Sequence, residues 1–442
     1  MVTKTVMHNG SHLVIDPVTD QAIRHYARFF CDSTDPLPMN ANNGDELLEM
    51  DTKITRHFSA SRGWQPPRAM GNIYGVTWDL SVSNILTRTD LAADFENPTP
   101  CVAGVGGSSP FDNLMPWAGM EVVEDEFAGT LVSIPKFYYQ IIHDGTALAV
   151  RIADAPTPGF HVSPAHADRD GTGERDVVYI GRYHCASDTG KSLSGAAPLV
   201  NVSRTALRAT FATRCSNEGV TGYSLQDFAM FWTVRLLMLV EYATWDFQSA
   251  IGYGCGNGES AELSGTTDSM PYHTGTVSET IDTYAVGIQY RYIEDMWANV
   301  AEFIDGWYVI PNEETQLLDV YVNTNIAEFS DDSGGVKIGS IDPATVNGFI
   351  SDWAVPKVEG YTWAMIPSAA TMEVETLTEY CADYCGLYGP SLVSGGYFDG
   401  QVLGYGPFIL VASDADGADS AFGARLQKIP LGGLGAAAPS GV

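Results

Sequence analysis

The sequence has few basic residues and no long apolar run. Lysine and arginine total 23 against 54 aspartates and glutamates, which gives a formal net charge of −31 at pH 7. Because phosphate binding needs clustered cations, this balance argues against a nucleic-acid partner and against docking on an anionic membrane. The start of the chain lacks the apolar core of a signal peptide. No apolar stretch reaches the roughly 18 residues that span a bilayer. We therefore expect a chain that folds in the cytoplasm without a membrane anchor.

Cysteine is also scarce, and its pattern is not that of a disulfide framework. The seven cysteines are odd in number and scattered along the chain. We expect them to be reduced and structural. The apolar content of 45% and the aromatic content of 11% indicate a globular body. The 45 glycines favour many turns and short strands over long helices.

Residues 1–70 have the pattern of a separate, β-rich module. Residues 11–17 predict a strand and turn, and residues 43–64 predict a hairpin with partly alternating arms. Residues 19–30 fit either an amphipathic helix or a strand. Two consecutive prolines, Pro66 and Pro67, then indicate a linker. We expect this module to serve attachment or oligomerisation.

Residues 71–430 predict a larger α+β domain. Its early part, 71–152, is β-rich and includes a predicted hairpin at 131–152 with an Asp-Gly turn. The later part, 153–430, contains two predicted helices. Ser203 is the expected N-cap of a helix over 204–214, and Ser224, with Asp227 at the third helical position, caps one that runs to about Tyr242. Residues 431–442 predict a flexible or strand-swapped tail.

Two segments carry a resemblance to a known fold. Residues 287–307, with Trp297, Asn299 and Glu302, and residues 395–426, which open with Gly-Gly-Tyr and close with Gly-Ala-Arg-Leu, resemble the C-type-lectin-like core. That fold is shared by formylglycine-generating enzymes and the receptor-binding tips of tailed phages. Residues 72–120 are similar to phage tail-tip proteins, and residues 43–64 to a β-module of phage structural proteins. Ala298 and Ala301 depart from the glycine and tryptophan usual in the family.

The resemblance implies a C-type-lectin-like domain with two helices and short antiparallel strands. In tips of the major-tropism-determinant type, the ligand-contacting residues lie between the opening Gly-Gly-Tyr and the closing Gly-Ala-Arg-Leu of the second segment, which here is the interval between Tyr397 and Phe422. The stretch between Tyr397 and Phe422 is rich in aromatic residues, glycine and aspartate, which suits a ligand face. Aromatic side chains give contact area, and polar groups give adaptable hydrogen bonds. The expected ligand-binding residues are Tyr397, Phe398, Asp399, Gln401, Tyr405, Phe408, Ser413, Asp414, Asp416 and Asp419. The expected structural core network is Trp297, Asn299, Glu302 and Arg425.

Other constellations offer alternatives to a binding protein. The acids at 414–419 and 168–174 space oxygen ligands as a calcium loop does, but neither completes the twelve-residue pattern, so we expect no cofactor and leave calcium as an alternative. Cys381 and Cys385 resemble the copper-binding pair of formylglycine-generating enzymes, although here they precede the Gly-Gly block. His184 and Cys185 are adjacent, so in a strand they point to opposite faces.

We therefore expect the protein to have no enzymatic activity. We expect a viral adhesin in the tail tip or tail fibre of a phage virion, assembled in the host cytoplasm. The expected partners are a host cell-surface glycan or protein, other tail or baseplate proteins, and two further copies in a homotrimer, whose avidity would raise a weak affinity. The alternatives are a structural baseplate or tail-fibre subunit, and an enzyme on the same scaffold, either a formylglycine-type oxidase or a polysaccharide depolymerase.

Overall fold

The computed structural model divides the chain into two compact units. One comprises Met1–Gly71 with Ala155–Pro158, and the other Asn72–Asp154 with Gly159–Val442. The structure describes residues 4–8, 11–15, 22–31, 46–49, 55–59, 63–64, 71–80, 84–372, 383–387, 391–397, 406–408, 410–413 and 416–431.

The described part of the first unit is a β-sheet whose strands follow one another in sequence order. The strands are β1 (Lys4–His8), β2 (Ser11–Ile15), β3 (Ala22–Cys31), β4 (Glu46–Glu49), β5 (Thr55–Ser59) and β6 (Gly63–Trp64). β3 and β4 run parallel, whereas the other neighbours are antiparallel. For residues 19–30 the periodicity left helix and strand open, and residues 22–30 of this stretch lie in β3. The predicted hairpin at 43–64 contains the antiparallel pair of β4 and β5.

The second unit combines helices with many short strands. Its described helices are α1 (Arg204–Glu218), α2 (Phe228–Tyr242) and α3 (Phe247–Ile251). Its described strands are β7 (Ile73–Trp78), β8 (Thr87–Asp90), β9 (Cys101–Val102), β10 (Val122–Asp125), β11 (Gly129–Pro135), β12 (Tyr138–His143), β13 (Leu148–Ala153), β14 (His161–Val162), β15 (Val177–Gly181), β16 (Tyr223–Leu225), β17 (Gly275–Thr276), β18 (Ile288–Tyr290), β19 (Ile293–Glu294), β20 (Ala301–Asn312), β21 (Leu317–Val322), β22 (Val336–Ile341), β23 (Asn347–Ala354), β24 (Ile366–Thr371), β25 (Tyr384–Leu387), β26 (Ser391–Ser394), β27 (Leu410–Ser413), β28 (Phe422–Gly423) and β29 (Leu426–Lys428). This mixture confirms the α+β class.

The described strands of the second unit form four sheets. One has the order β14-β12-β13-β7-β8, another β10-β11-β15-β29-β16, and a small one β19-β18-β17-β9. The largest runs β22-β21-β20-β26-β27-β25-β23-β24, and β28 pairs parallel with the start of β20. The chain therefore returns from the predicted binding segment to two sheets, through β28 beside β20 and through β29 between β15 and β16.

The predicted hairpin at 131–152 is wrong in one arm. β12 and β13 pair antiparallel across the Asp144-Gly145 turn, as expected. Residues 131–135, however, belong to β11, which pairs with β10 and β15 in a different sheet. Pro135 ends β11, and the chain then starts a new strand at Tyr138. The apolar pattern continues through this break because both strands are buried on their inner faces, so the pattern did not reveal it.

Both predicted helices exist, but their ends differ from the prediction. Ser203 caps α1 by accepting a hydrogen bond from the Ala206 amide at 3.3 Å, and α1 runs to Glu218 before Gly219 ends it with φ of 66°. The cap of α2 is Asp227, whose Oδ1 accepts from the Met230 amide at 2.8 Å. Ser224 instead lies in β16. The structure adds the short helix α3, which the sequence did not predict.

Helix α2 is the centre of the core. Every one of its residues is buried, because its apolar side chains surround the whole helix and not one face. It packs against β7, β13 and β20. Trp232 meets Trp353 with ring centroids 5.6 Å apart, and Trp353 stacks on Trp245 at 5.5 Å. This aromatic cluster fixes the large sheet against the helix.

Candidate functional site

The predicted binding segment is described in part. Phe398, Asp399, Gln401, Tyr405 and Asp414 lie outside the described residues. Ser413 ends strand β27, opposite Ser391 of β26. The residues of this segment with described surroundings are therefore Tyr397, Phe408, Asp416 and Asp419, and they do not share one environment.

Phe408 is a core residue, which corrects its assignment to the ligand face. Its side chain has no exposed surface. Its ring centroid lies 5.1 Å from that of Trp245 and 5.9 Å from that of Trp232, and its backbone N–H donates to the Asp383 carboxyl at 2.5 Å. The glycines around it suggested an exposed loop, but burying a large apolar ring in the aromatic cluster is more favourable than presenting it to water.

Tyr397, Asp416 and Asp419 reach the surface to different extents. Tyr397 is half-buried and packs against the smaller core cluster that includes Phe303 and Leu426. Asp416 and Asp419 are exposed. Asp419 also shapes the turn before β28, since its Oδ1 accepts from the Ala421 amide at 2.8 Å and its carbonyl accepts from the Asn201 amide at 2.9 Å.

Arg425 anchors the strand that follows the predicted binding segment. Its Nε donates to Glu302 Oε1 at 2.7 Å. Its Nη1 donates to the carbonyl oxygens of Gly181 and Arg182 at 2.9 and 3.0 Å, and its Nη2 to those of Glu294 and Asp295 at 2.7 and 3.1 Å. The side chain is buried, and this set of bonds satisfies each of its nitrogens. The structure thus brings Arg425 and Glu302 of the predicted network into direct contact.

Glu302 lies between two basic side chains. His184 Nε2 is 3.1 Å from its Oε1, and both side chains are buried. Burial alone would raise the pKa of the Glu302 carboxyl, but the charge of Arg425 and the contacts with His184 outweigh burial and hold that pKa below its usual range. Glu302 therefore remains ionised as the partner of Arg425.

Asn299 and Trp297 brace a neighbouring turn and have no direct contact with that ion pair among the described hydrogen bonds. Asn299 Nδ2 donates to Asp295 at 3.1 Å, and its Oδ1 accepts from the Glu262 amide at 2.8 Å. Trp297 Nε1 donates to the Gly252 carbonyl at 2.9 Å. Ala298 has φ of 65°, a left-handed conformation that favours glycine, which is the residue usual in the resembling family.

Two of the cysteines singled out by the sequence, Cys185 and Cys385, are buried and protonated at neutral pH. Cys185 and Cys385 have no exposed surface, and burial raises the pKa of each thiol to about 12. Cys385 lies in strand β25, and Cys381 lies outside the described residues. Because the thiolate is the form that binds metal and attacks substrates, these environments disfavour thiol chemistry at Cys185 and Cys385.

Among the described residues, the structure has no cluster of three or more His, Cys, Asp or Glu side chains able to hold a metal ion. Within residues 168–174, Asp168 and Asp170 bond inside their own turn. Asp168 accepts from the Gly171 amide at 2.8 Å, and Asp170 pairs with Arg175 at 2.7 Å.

A cavity that the sequence did not predict lies between α1, β16 and the turn at residues 324–329. Its volume is about 340 Å³, and its polar lining includes Arg169, Arg208 and Asp305. The lining residues come from positions 169 to 431, so no local motif could indicate it. Arg169 belongs to the stretch that the sequence offered as a calcium loop, and it was not itself a candidate.

Comparison with protein-family models and with curated protein sequences finds no match for this chain. Within the described residues, no helix combines the length and the apolar character needed to cross a membrane.

Proposed function

We propose that this chain is a phage tail protein that binds a receptor on the host cell surface through residues 397–420 of a C-type-lectin-like domain. The proposal rests on the resemblance of residues 287–307 and 395–426 to that family. It also includes the virion as the site of action, contacts with other tail or baseplate proteins, and a homotrimer.

The observation that carries the proposal is the position of Arg425 next to an exposed loop. Asp416 and Asp419 are exposed, while Arg425, a few residues later, is buried and bonded to three separate segments of the second unit. Recognition surfaces commonly consist of loops held on a rigid scaffold. An exposed loop whose end is fixed in this way tolerates sequence change without loss of the fold.

The test is binding of labelled full-length protein to intact candidate host cells. A variant with Tyr397→Ala, Tyr405→Ala and Asp416→Ala removes predicted contacts, and Phe408 is left intact because it is buried. A matched variant with Glu313→Ala and Glu314→Ala removes exposed acids from the β20–β21 turn. We expect saturable binding that the first variant loses and the second retains, with both folded by circular dichroism.

Other outcomes would favour the alternatives. If the wild type binds no host in a broad panel, the chain is better explained as a structural subunit. If the protein degraded host capsule polysaccharide, that would indicate a depolymerase. Copper-dependent oxidation of a cysteine-containing peptide would indicate an oxidase. Equal binding by all variants would move the receptor site away from residues 397–416. The mass of the assembly, measured by light scattering, tests the trimer separately.

A further inference from the structure

The cavity beside α1 has the size of a small-molecule site. Its volume of about 340 Å³ is at the lower end of the ~300–1,000 Å³ typical of such sites. Ala212, Ala327 and Leu431 are exposed members of its lining, so the cavity is reachable from solvent. None of the described residues between 397 and 420 lines it, which separates it from the proposed receptor face.

The walls of the cavity are mainly apolar. Phe211 and Leu225 are buried, Val220 and Phe329 are partly exposed, and Ile429 closes one side. α1 and the segment at residues 324–329 both contribute to these walls. Apolar walls with a few polar groups are the usual composition of a pocket that buries the body of a small organic ligand.

The arginines in the lining are already matched by carboxylates. Arg169 pairs with Asp227, Arg175 with Asp170 at 2.7 Å, and Arg208 with Asp305 at 2.7 Å. Two of these acids, Asp170 and Asp305, also line the cavity. An anionic ligand would therefore meet no surplus of positive charge and would face two carboxylates, so the charge pattern favours an uncharged ligand.

Arg169 nevertheless retains an unused donor. Its Nε donates to the Thr324 carbonyl at 2.7 Å, and its Nη2 donates to Asp227. Its Nη1 is buried and has no hydrogen-bond partner among the described residues. A buried donor without an acceptor is unfavourable, so an acceptor brought by a ligand would gain a bond that the free protein lacks.

We propose that this cavity binds a small uncharged ligand of the acylated-amine class, with an aliphatic or aromatic body and an amide carbonyl. The body packs between Phe211, Val220 and Phe329, and the carbonyl oxygen accepts a hydrogen bond from Arg169. This site is independent of the receptor face proposed above.

The probe is N-acetyl-leucinamide, and its binding to the full-length protein is measured by ligand-observed NMR. N-acetyl-leucine is its matched anion, since a carboxylate replaces the terminal amide. Ala212→Trp places a large side chain at the rim, and Ala209→Trp makes the same change at another exposed alanine of α1 that does not line the cavity. We expect saturable binding of the amide, weaker binding of the anion, and about tenfold loss of affinity in Ala212→Trp only, because filling the pocket displaces the ligand.

Arg169→Lys tests the hydrogen bond, because lysine keeps the charge beside Asp227 and removes Nη1. We expect this variant to weaken binding of the amide while circular dichroism stays unchanged. If that variant does not fold, the pair of tryptophan variants still tests the site. Absence of saturable amide binding, equal affinity in both tryptophan variants, or tighter binding of the anion would each overturn the proposal.

Discussion

Arg425 and Glu302 form a buried ion pair across 123 positions of the sequence, with Nε donating to Oε1 at 2.7 Å. The two side chains are 1% and 4% exposed. The remaining Arg425 nitrogens bond to carbonyl oxygens at the end of β15 and at the end of β19. Because every Arg425 nitrogen is hydrogen-bonded and Glu302 supplies the opposite charge, the arginine's charge is compensated within the core, and its loss would affect several segments at once.

Replacing Arg425 with methionine leaves Glu302 buried without its cation. We expect the free energy of unfolding to fall by about 3–5 kcal/mol, as is typical when one partner of a buried pair is removed. Urea denaturation followed by tryptophan fluorescence measures this change. Lys337→Met is the matched control, since Lys337 pairs with Asp319 at 2.7 Å but is 44% exposed. That change should cost about 0–1 kcal/mol. If both variants lost a similar free energy of unfolding, the burial of Arg425 would contribute nothing to stability.

Phe408→Ala should act on stability and not directly on recognition. Removing a fully buried aromatic ring typically costs about 3–5 kcal/mol. Leu263→Ala is the control, because Leu263 is 53% exposed, and a surface change of this kind stays within roughly 0.5 kcal/mol. Thermal unfolding of the two variants provides the comparison. A Phe408→Ala protein that unfolds at the wild-type temperature but no longer binds cells would return Phe408 to the ligand face.

Because of the Asp383 carboxyl, the free energy of unfolding should fall as pH rises. Burial raises the pKa of its carboxyl to about 7, although the Phe408 and Gly406 amides donate to it and the charge of Arg235 opposes the rise. The unfolded chain releases this proton near pH 4, whereas the folded protein keeps it up to about pH 7. The folded state therefore binds more protons in this window, and its stability declines with increasing pH.

Asp383→Asn removes that titration. The wild type should lose stability relative to the variant between pH 4 and 7, with a slope of at most about 1.4 kcal/mol per pH unit, and the difference should level off above that window. Urea denaturation across the pH range measures the slope. Because the comparison uses the slope, a constant destabilisation of the variant does not disturb it. Parallel curves for the two proteins would contradict the raised pKa of Asp383.

The buried thiols should resist alkylation in the folded protein. Burial raises the pKa values of Cys185, Cys255 and Cys385 to about 12, so little thiolate exists at pH 8. We expect iodoacetamide to modify the half-buried Cys215 before these three, and to modify all of them in urea. Peptide mass spectrometry distinguishes the sites. Rapid labelling of Cys385 in the folded protein would instead support the oxidase alternative.

The local features of the second unit were predictable where neighbours in the sequence decide them. The cap at Ser203 and the turn between β12 and β13 depend on residues within a few positions. The cap of α2 was misplaced by three residues because Ser224 and Asp227 are both good caps. The pairing of Ser224 with Gln427 makes β16 an edge strand beside β29 and removes Ser224 from the helix, and the two residues are 203 positions apart in the sequence.

The sequence by itself determined the class of the protein: its acidic charge, its α+β composition and the existence of α1 and α2 follow from residue types and short-range periodicity. Only the tertiary structure decided that Phe408 is in the core, that Arg425 meets Glu302, and that Arg169 lines a cavity with residues of α1. The physical reason is that burial and ion pairing depend on which distant segments come together. Glycine-rich flanks and isolated charges look the same in a sequence whether the side chain between them faces water or another strand.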